Sequence, residues 1–257
     1  MIKPGMCSVT FRDRTVEEVI QLTAEAGLAG IEWGGDRHVP ISDIQQAVQI
    51  GKLTREAGLT VAGYGSYYSA FDLPDTPPAE CEPVVKTAAA LGSPSIRIWA
   101  GSLKMKKTKA YFDTVVQQSR RIADVAQAAG IKVGFEFHPG TFTETIEGTV
   151  ELLDAAMHPN LYVYWQPRHA DNLAERRRQI EILKSKGRLL NLHVYHWDNP
   201  PEYSRFPLES GEAFWPACFQ AADEPGTERF AFIEFVRNDD VGQFRSDAAV
   251  LKKWLNN

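Results

Sequence analysis

Three short stretches, Glu25-Ala26-Gly27-Leu28, Glu56-Ala57-Gly58-Leu59 and Ala128-Ala129-Gly130-Ile131, repeat one junction: an amphipathic segment closed by glycine and followed at once by a β-rich run. Glycine accepts the left-handed conformation that ends a helix, so each junction reads as a helix feeding a strand. Upstream of the first, Thr15 and Glu18 have the spacing of a capping box and predict a helix over Thr15–Ala26. Working outward, strands are expected at Pro4–Thr10, Ala29–Trp33, Thr60–Tyr64, Ser95–Trp99, Lys132–Phe137, Leu161–Gln166, Leu189–Val194 and Arg229–Val236. Helical periodicity separates them at Ser42–Ala57, Pro78–Leu91, Lys109–Ala129, Thr145–Ala156, Ala174–Lys186 and Glu212–Ala222, and a last helix covers Asp239–Leu255. Eight strand–helix units in 257 residues leave about 32 residues for each, the size of a unit in a closed (β/α)8 barrel. The expected fold is therefore α/β, one (β/α)8 barrel over residues 1–257 with no linker dividing it. An open doubly wound sheet would carry a glycine-rich phosphate loop after its first strand, and none follows Thr10.

Charge and cysteine usage narrow the function classes. The chain has 28 Lys+Arg against 33 Asp+Glu, a formal charge of −5, which opposes a partner bound through nucleic-acid phosphates. No stretch approaches a membrane-spanning apolar run and the first residues lack the pattern of a secretory signal, so a cytoplasmic protein with no membrane partner is expected. Cys7, Cys81 and Cys218 are widely spaced and form no CxxC pair, which reads as reduced structural thiols.

In a closed barrel the reacting groups stand at the C-terminal ends of the strands. Strand five ends Val133-Gly134-Phe135-Glu136-Phe137-His138 and strand eight Ala231-Phe232-Ile233-Glu234-Phe235-Val236, each placing a carboxylate in an apolar run. Strand six ends Tyr164-Trp165-Gln166-Pro167-Arg168-His169, and strand seven carries Asn191-Leu192-His193-Val194-Tyr195-His196. A lone polar residue in such a strand is ordinarily hydrogen-bonded structure, but two isolated buried carboxylates need compensation. A shared cation supplies it: Glu136, Gln166, His193 and Glu234 make a mixed oxygen and nitrogen set suited to one divalent ion, Mn²⁺, Mg²⁺, Co²⁺ or Zn²⁺. The four are expected to converge within about 5 Å of a common point.

Trp33, Tyr64, Trp99 and Trp215 are candidates for the wall of a sugar pocket. Arg97 shares the parity of Trp99 and needs an anion if buried, whether Glu32, Glu136 or substrate. His38 reads as an exposed loop histidine, and Arg176-Arg177-Arg178 as a solvated helix face. Lys104, Lys106, Lys107 and Lys109 follow strand four; such a loop cluster is ordinarily just solvated, and if the substrate is phosphorylated, Lys104, Lys106 or Lys107 should contribute to its binding.

With these residues in view, the chain resembles the sugar isomerase and epimerase group with the xylose-isomerase-like TIM barrel. The likeness runs from Ala29-Gly30-Ile31-Glu32-Trp33 through the strand-five and strand-eight segments. The resemblance implies metal ligands at Glu136, Gln166, His193 and Glu234 and a substrate-binding role for His169. Gln166 stands where the group has Asp, which lowers the ligand charge and the expected metal affinity. Asn199 and Phe142 replace an Arg and a Glu of the ketose epimerases, so close identity with those enzymes is not expected.

The chemistry so implied is a metal-dependent sugar or sugar-phosphate isomerase or epimerase, with Glu136 and Glu234 moving a proton beside a carbonyl. A lyase or dehydratase shares the first step. A metal-free carbohydrate-binding protein and a phosphodiesterase like endonuclease IV rank lower, since Trp33 and Trp99 occupy strand ends where a multi-zinc cluster needs ligands. The expected partner is a small carbohydrate, and a homo-oligomer is compatible with the sequence.

Overall fold

A computed structural model describes residues 1–71, 79–103, 108–198 and 203–256. Strand and helix alternate from β1 (Ile2–Cys7) and α1 (Val16–Glu25) through β2 (Gly30–Gly34), α2 (Ile44–Glu56), β3 (Thr60–Ser69), α3 (Glu82–Leu91), β4 (Ser95–Trp99) and α4 (Lys109–Ala128). The second half runs β5 (Lys132–Glu136), α5 (Ile146–Ala156), β6 (Leu161–Trp165), α6 (Leu173–Ser185), β7 (Leu189–Val194), α7 (Trp215–Ala222), β8 (Arg229–Ile233) and α8 (Val241–Leu255). All eight strands are parallel and β1 pairs with β8, closing a (β/α)8 TIM barrel. No helix among the described residues is long and apolar enough to cross a membrane.

Local signals act as the sequence implies. Gly27, Gly58 and Gly130 all have φ near +70°, at 65°, 76° and 71°, where a side chain would be strained. Thr15 and Glu18 form both bonds of the capping box, at 3.2 and 2.8 Å.

Several boundaries differ. β1 stops at Cys7, and Ser8–Phe11 is a 3-10 turn rather than the end of a strand. Its hydroxyls explain the change: Ser8 Oγ accepts from Gly34 N at 2.8 Å and Thr10 Oγ1 accepts from Phe235 N at 3.0 Å. The turn thus ties β1 to the ends of its two neighbours. β3 continues to Ser69 with a register shift against β4, and β8 ends at Ile233, leaving Glu234 just beyond the strand. α3 and α7 start later than their periodicity suggests, each with a proline in its first turn.

Two apolar layers result. The larger lies between strands and helices and includes Trp33, Trp165 and Trp215, while Cys7, Val9, Ala62, Tyr164, Phe230 and Phe232 fill the barrel interior. Phe230 and Phe232 stack at 5.3 Å, and Tyr164 bonds Ser95 Oγ at 2.8 Å. This aromatic floor supports the polar groups above it. On the outside, α2 and α3 touch through Gly51, where an added Cβ would lie 2.1 Å from Leu91 O. Gly51→Ala should therefore lower stability by about 1–3 kcal/mol, measured by urea unfolding; an unchanged midpoint would show that the helices part freely.

Candidate active site

Each ligating candidate sits where a strand has just ended or is about to. Gln166 follows β6, Glu234 follows β8, Glu136 is the last residue of β5 and His193 lies one residue before the end of β7. All four are buried, and the structure brings them together. His193 Nδ1 lies 3.1 Å from Gln166 Oε1, 3.7 Å from Glu136 Oε1 and 3.5 Å from Glu234 Oε2. Ligands around one divalent ion with bonds of about 2.0–2.2 Å stand roughly 3–3.5 Å apart, so this donor set fits a single cation. Glu136, His193 and Glu234 each offer a ligand atom, and the three lie within 4.8 Å of one another.

A second row of buried groups holds the first. Arg97 Nε donates to Glu32 Oε1 at 2.9 Å and Arg97 Nη1 donates to Glu136 Oε2. Trp99 Nε1 also donates to Glu136 Oε2, at 2.5 Å. His193 Nε2 faces Glu32 Oε2 at 3.4 Å, the arrangement by which a carboxylate orients a ligating histidine. The Cys7 thiol points at Glu32 Oε1 from 3.8 Å, and burial pushes its pKa up so that it stays protonated.

These contacts make the two catalytic candidates unequal. Burial opposes ionisation of Glu136, but the Arg97 guanidinium and then His193 outweigh it and hold the carboxyl well below its usual range. Glu234 has no such clamp, and burial, reinforced by the charge of Glu136, raises it despite His193. One oxygen of Glu136 is committed to Arg97 and Trp99 while Oε1 remains turned to His193.

The aromatic wall is not the one expected. Trp33 and Tyr64 face away from the barrel axis: Trp33 Nε1 donates to Thr54 Oγ1 of α2 at 3.1 Å, and the Tyr64 hydroxyl donates to Val39 O at 2.9 Å. Neither lines the mouth. Trp215 is likewise core, bonded to Tyr195 O at 3.1 Å. Trp99 and Arg97 do point inward. His38, expected to be exposed, is buried with Nδ1 3.0 Å from Ser8 Oγ and Nε2 3.1 Å from Arg14 O. Arg176 is also buried, whereas Arg177 and Arg178 are exposed and paired with acids. Lys104, Lys106, Lys107 and Asn199 lie outside the described residues; Lys109 is exposed and pairs with Asp113.

His169 stands farther out than the cluster, stacked on Trp197 at 5.9 Å and edge-on to Tyr203 at 5.5 Å. Sequence reasoning overlooked two residues that complete the mouth, Tyr67 and Arg12. Arg12 Nη2 donates to the Tyr67 hydroxyl at 2.7 Å, and the Tyr67 ring meets Trp99 edge-on at 5.2 Å. The aromatic run Tyr64-Gly65-Ser66-Tyr67-Tyr68 was the available signal.

Comparisons with known proteins bear on the family and the fold. The family described as xylose isomerase-like TIM barrel matches residues 20–254. A 3-dehydroshikimate dehydratase from Bacillus anthracis is 25% identical over 173 residues, which cover 63% of this chain and 60% of that protein. Among solved structures, the probable 3-DHS dehydratase involved in petrobactin synthesis from Bacillus anthracis superposes with a TM-score of 0.78 at 18% identity, covering 98% of this chain and 99% of the other. A D-allulose 3-epimerase from Methylomonas sp. gives 0.73 at 17% identity, with 98% and 97% covered. At such identities the structural likeness is one of fold.

Proposed function

This chain belongs to the xylose isomerase-like TIM barrel family, and from that premise we propose that it removes a proton from the carbon beside a carbonyl of a small polyhydroxylated substrate, acting as an isomerase or epimerase. The observation that carries the reading is the pair Glu136 and Glu234, aimed at one imidazole nitrogen from two different strand ends with opposite protonation tendencies. A divalent ion held by Glu136, Gln166, His193 and Glu234 would supply Lewis acidity, making the substrate C–H more acidic.

The residues divide the remaining work. Glu234, free of the Arg97 and Trp99 bonds that hold Glu136, takes the proton. In isomerisation the proton on Glu234 is delivered to the neighbouring carbon; inversion at the same carbon takes a solvent proton passed through Glu136 Oε1 on its own side, with the proton on Glu234 released to solvent. Arg97 and Trp99 fix Glu136 through Oε2, and Glu32 fixes the His193 ring. His169 orients a substrate oxygen at the rim, beside Trp197.

A second reading is a dehydratase, in which the same abstraction is followed by departure of a β-hydroxyl. It is favoured by the sequence likeness to a dehydratase and by the Arg97 clamp, which suits Glu136 to remain an anion. One experiment separates the two: keto-sugars, their phosphates and keto-cyclitols are incubated in deuterated buffer with Mn²⁺ and followed by NMR. Deuterium at carbon with all hydroxyls retained supports isomerisation or epimerisation. Loss of one hydroxyl, seen as an enone or as the dicarbonyl its enol tautomerises to, supports the dehydratase. If neither deuterium nor loss of a hydroxyl appears with any substrate, both readings fail.

The donor set gives a further test. Gln166→Asp adds a charge at ligand distance, and ligand charge tunes cation affinity. Mn²⁺ binding measured by calorimetry should tighten on the order of tenfold; unchanged affinity would remove Gln166 from the ligand set.

A further inference from the structure

Beyond the cluster, where the β6–α6 and β7–α7 loops meet, lies a small cleft open to solvent and lined by His169, Arg176, Tyr195, His196, Trp197 and Phe214. Two of its lining residues carry a hydrogen-bond donor without a partner among the described residues. Arg176 is 9% exposed, and its Nη1 has none. Its other nitrogens donate only to main-chain carbonyls, Nε to Asp171 O at 2.8 Å and Nη2 to Arg168 O at 3.4 Å. The Trp197 indole N–H is buried and equally unmatched.

A buried guanidinium without a counter-charge is unfavourable, and here the nearest acidic side chain on the same loop is engaged elsewhere, with Asp171 accepting from Gln179 at 2.7 Å. Arg229, the other buried arginine with unmatched nitrogens, has Glu224 at 2.7 Å. Arg176 has the face of Phe214 at 3.9 Å and, among the described residues, no carboxylate in an ion pair with it. Burial lowers the pKa of both His169 and His196, so at neutral pH the histidines add donors without adding charge.

Position connects the cleft to the reacting groups. His169 lies three residues beyond Gln166, and Tyr195 and Trp197 lie two and four beyond His193. Tyr195, which lines the cleft, feels the charges of Glu234, His193 and Glu136, so the cleft adjoins the cluster.

We propose that this cleft seats an oxyanion, a carboxylate or phosphate, carried by the substrate whose reacting carbon lies at Glu234, with Arg176 and Trp197 as its donors. The assignment rests on the proton-transfer reading above and deepens it by naming the substrate class as anionic.

Calorimetry with inorganic phosphate and with quinate, a carboxylated polyol, tests it on the wild type, Arg176→Met and Trp197→Phe. Loss of a charge-assisted bond should weaken both probes about 10- to 100-fold in Arg176→Met, and loss of the neutral N–H several-fold in Trp197→Phe. Thermal melts show whether each variant is folded, and Trp197→Phe keeps the ring contacts if Arg176→Met does not fold. Quinate binding tighter than phosphate, and weakened by Glu234→Ala, supports an anion carried on the substrate. Quinate no tighter than phosphate and indifferent to Glu234→Ala overturns that assignment. Millimolar probes that fail to bind the wild type, or bind Arg176→Met equally well, overturn the site itself. Absence of deuterium exchange with phosphate binding intact sinks the proton-transfer reading alone.

Discussion

Glu234→Gln is expected to lower turnover on the true substrate by about 10²- to 10⁴-fold, the usual contribution of a positioned acid or base. The amide keeps the shape and one oxygen lone pair toward His193, so the fold and part of the metal affinity should survive while the proton acceptor is lost. Glu136→Gln should be comparably inactive for a different reason. An amide there cannot neutralise Arg97, whose Nε reaches Glu32 at 2.9 Å and whose Nη1 is committed to Glu136. The two variants part in unfolding experiments: Glu234→Gln should remain near wild-type stability, and Glu136→Gln should not. Wild-type turnover in both would end the two-carboxylate mechanism even with a metal bound.

The largest expected effect on stability comes from Arg97→Met. Removing one partner of a buried pair strands the other, at about 3–5 kcal/mol, and here one guanidinium serves both Glu32 and Glu136. Arg97→Lys should recover only part of the loss, since an ammonium has no rigid fork to reach two carboxylates on different strands. The pH dependence has a definite sign. Glu136 is depressed below its ordinary 4.5 in the folded protein, so the stability it contributes is present above that value and is lost as pH falls toward the folded pKa. The difference between wild type and Arg97→Met should therefore be full near neutrality and close on acidification, as measured by urea unfolding in EDTA at a series of pH values. A difference that widened in acid would contradict the ion-pair account.

The order of elements was legible in the sequence because it rests on local physics. Glycines at 27, 58 and 130 adopt positive φ where α1, α2 and α4 stop before a strand, and the Thr15–Glu18 capping box needs no distant partner. The convergence of Glu136, Gln166, His193 and Glu234 was legible too, since a polar group at the C-terminal end of an apolar barrel strand has one direction in which to find company. Turn boundaries were less so: β1 ends at Cys7 because Ser8 and Thr10 bond residues 26 and 225 positions away.

What tertiary structure alone decided is which side of each strand faces in. Barrel strands are buried on both faces, so no alternation of apolar and polar residues marks the inner one. Trp33 and Glu32 are neighbours in β2 and equally hidden, yet one packs on α2 and the other holds Arg97. The register shifts between β2 and β3 and between β3 and β4 fix where Tyr64 and Tyr67 point, and such shifts are set by closure of the whole ring. The same holds for Arg176, one of three consecutive arginines that composition cannot tell apart. Only the packing of α6 against the α7 entrance buries it over Phe214 while its neighbours stay in solvent, because a helix turns successive side chains about 100° apart and the partner surface selects one of them.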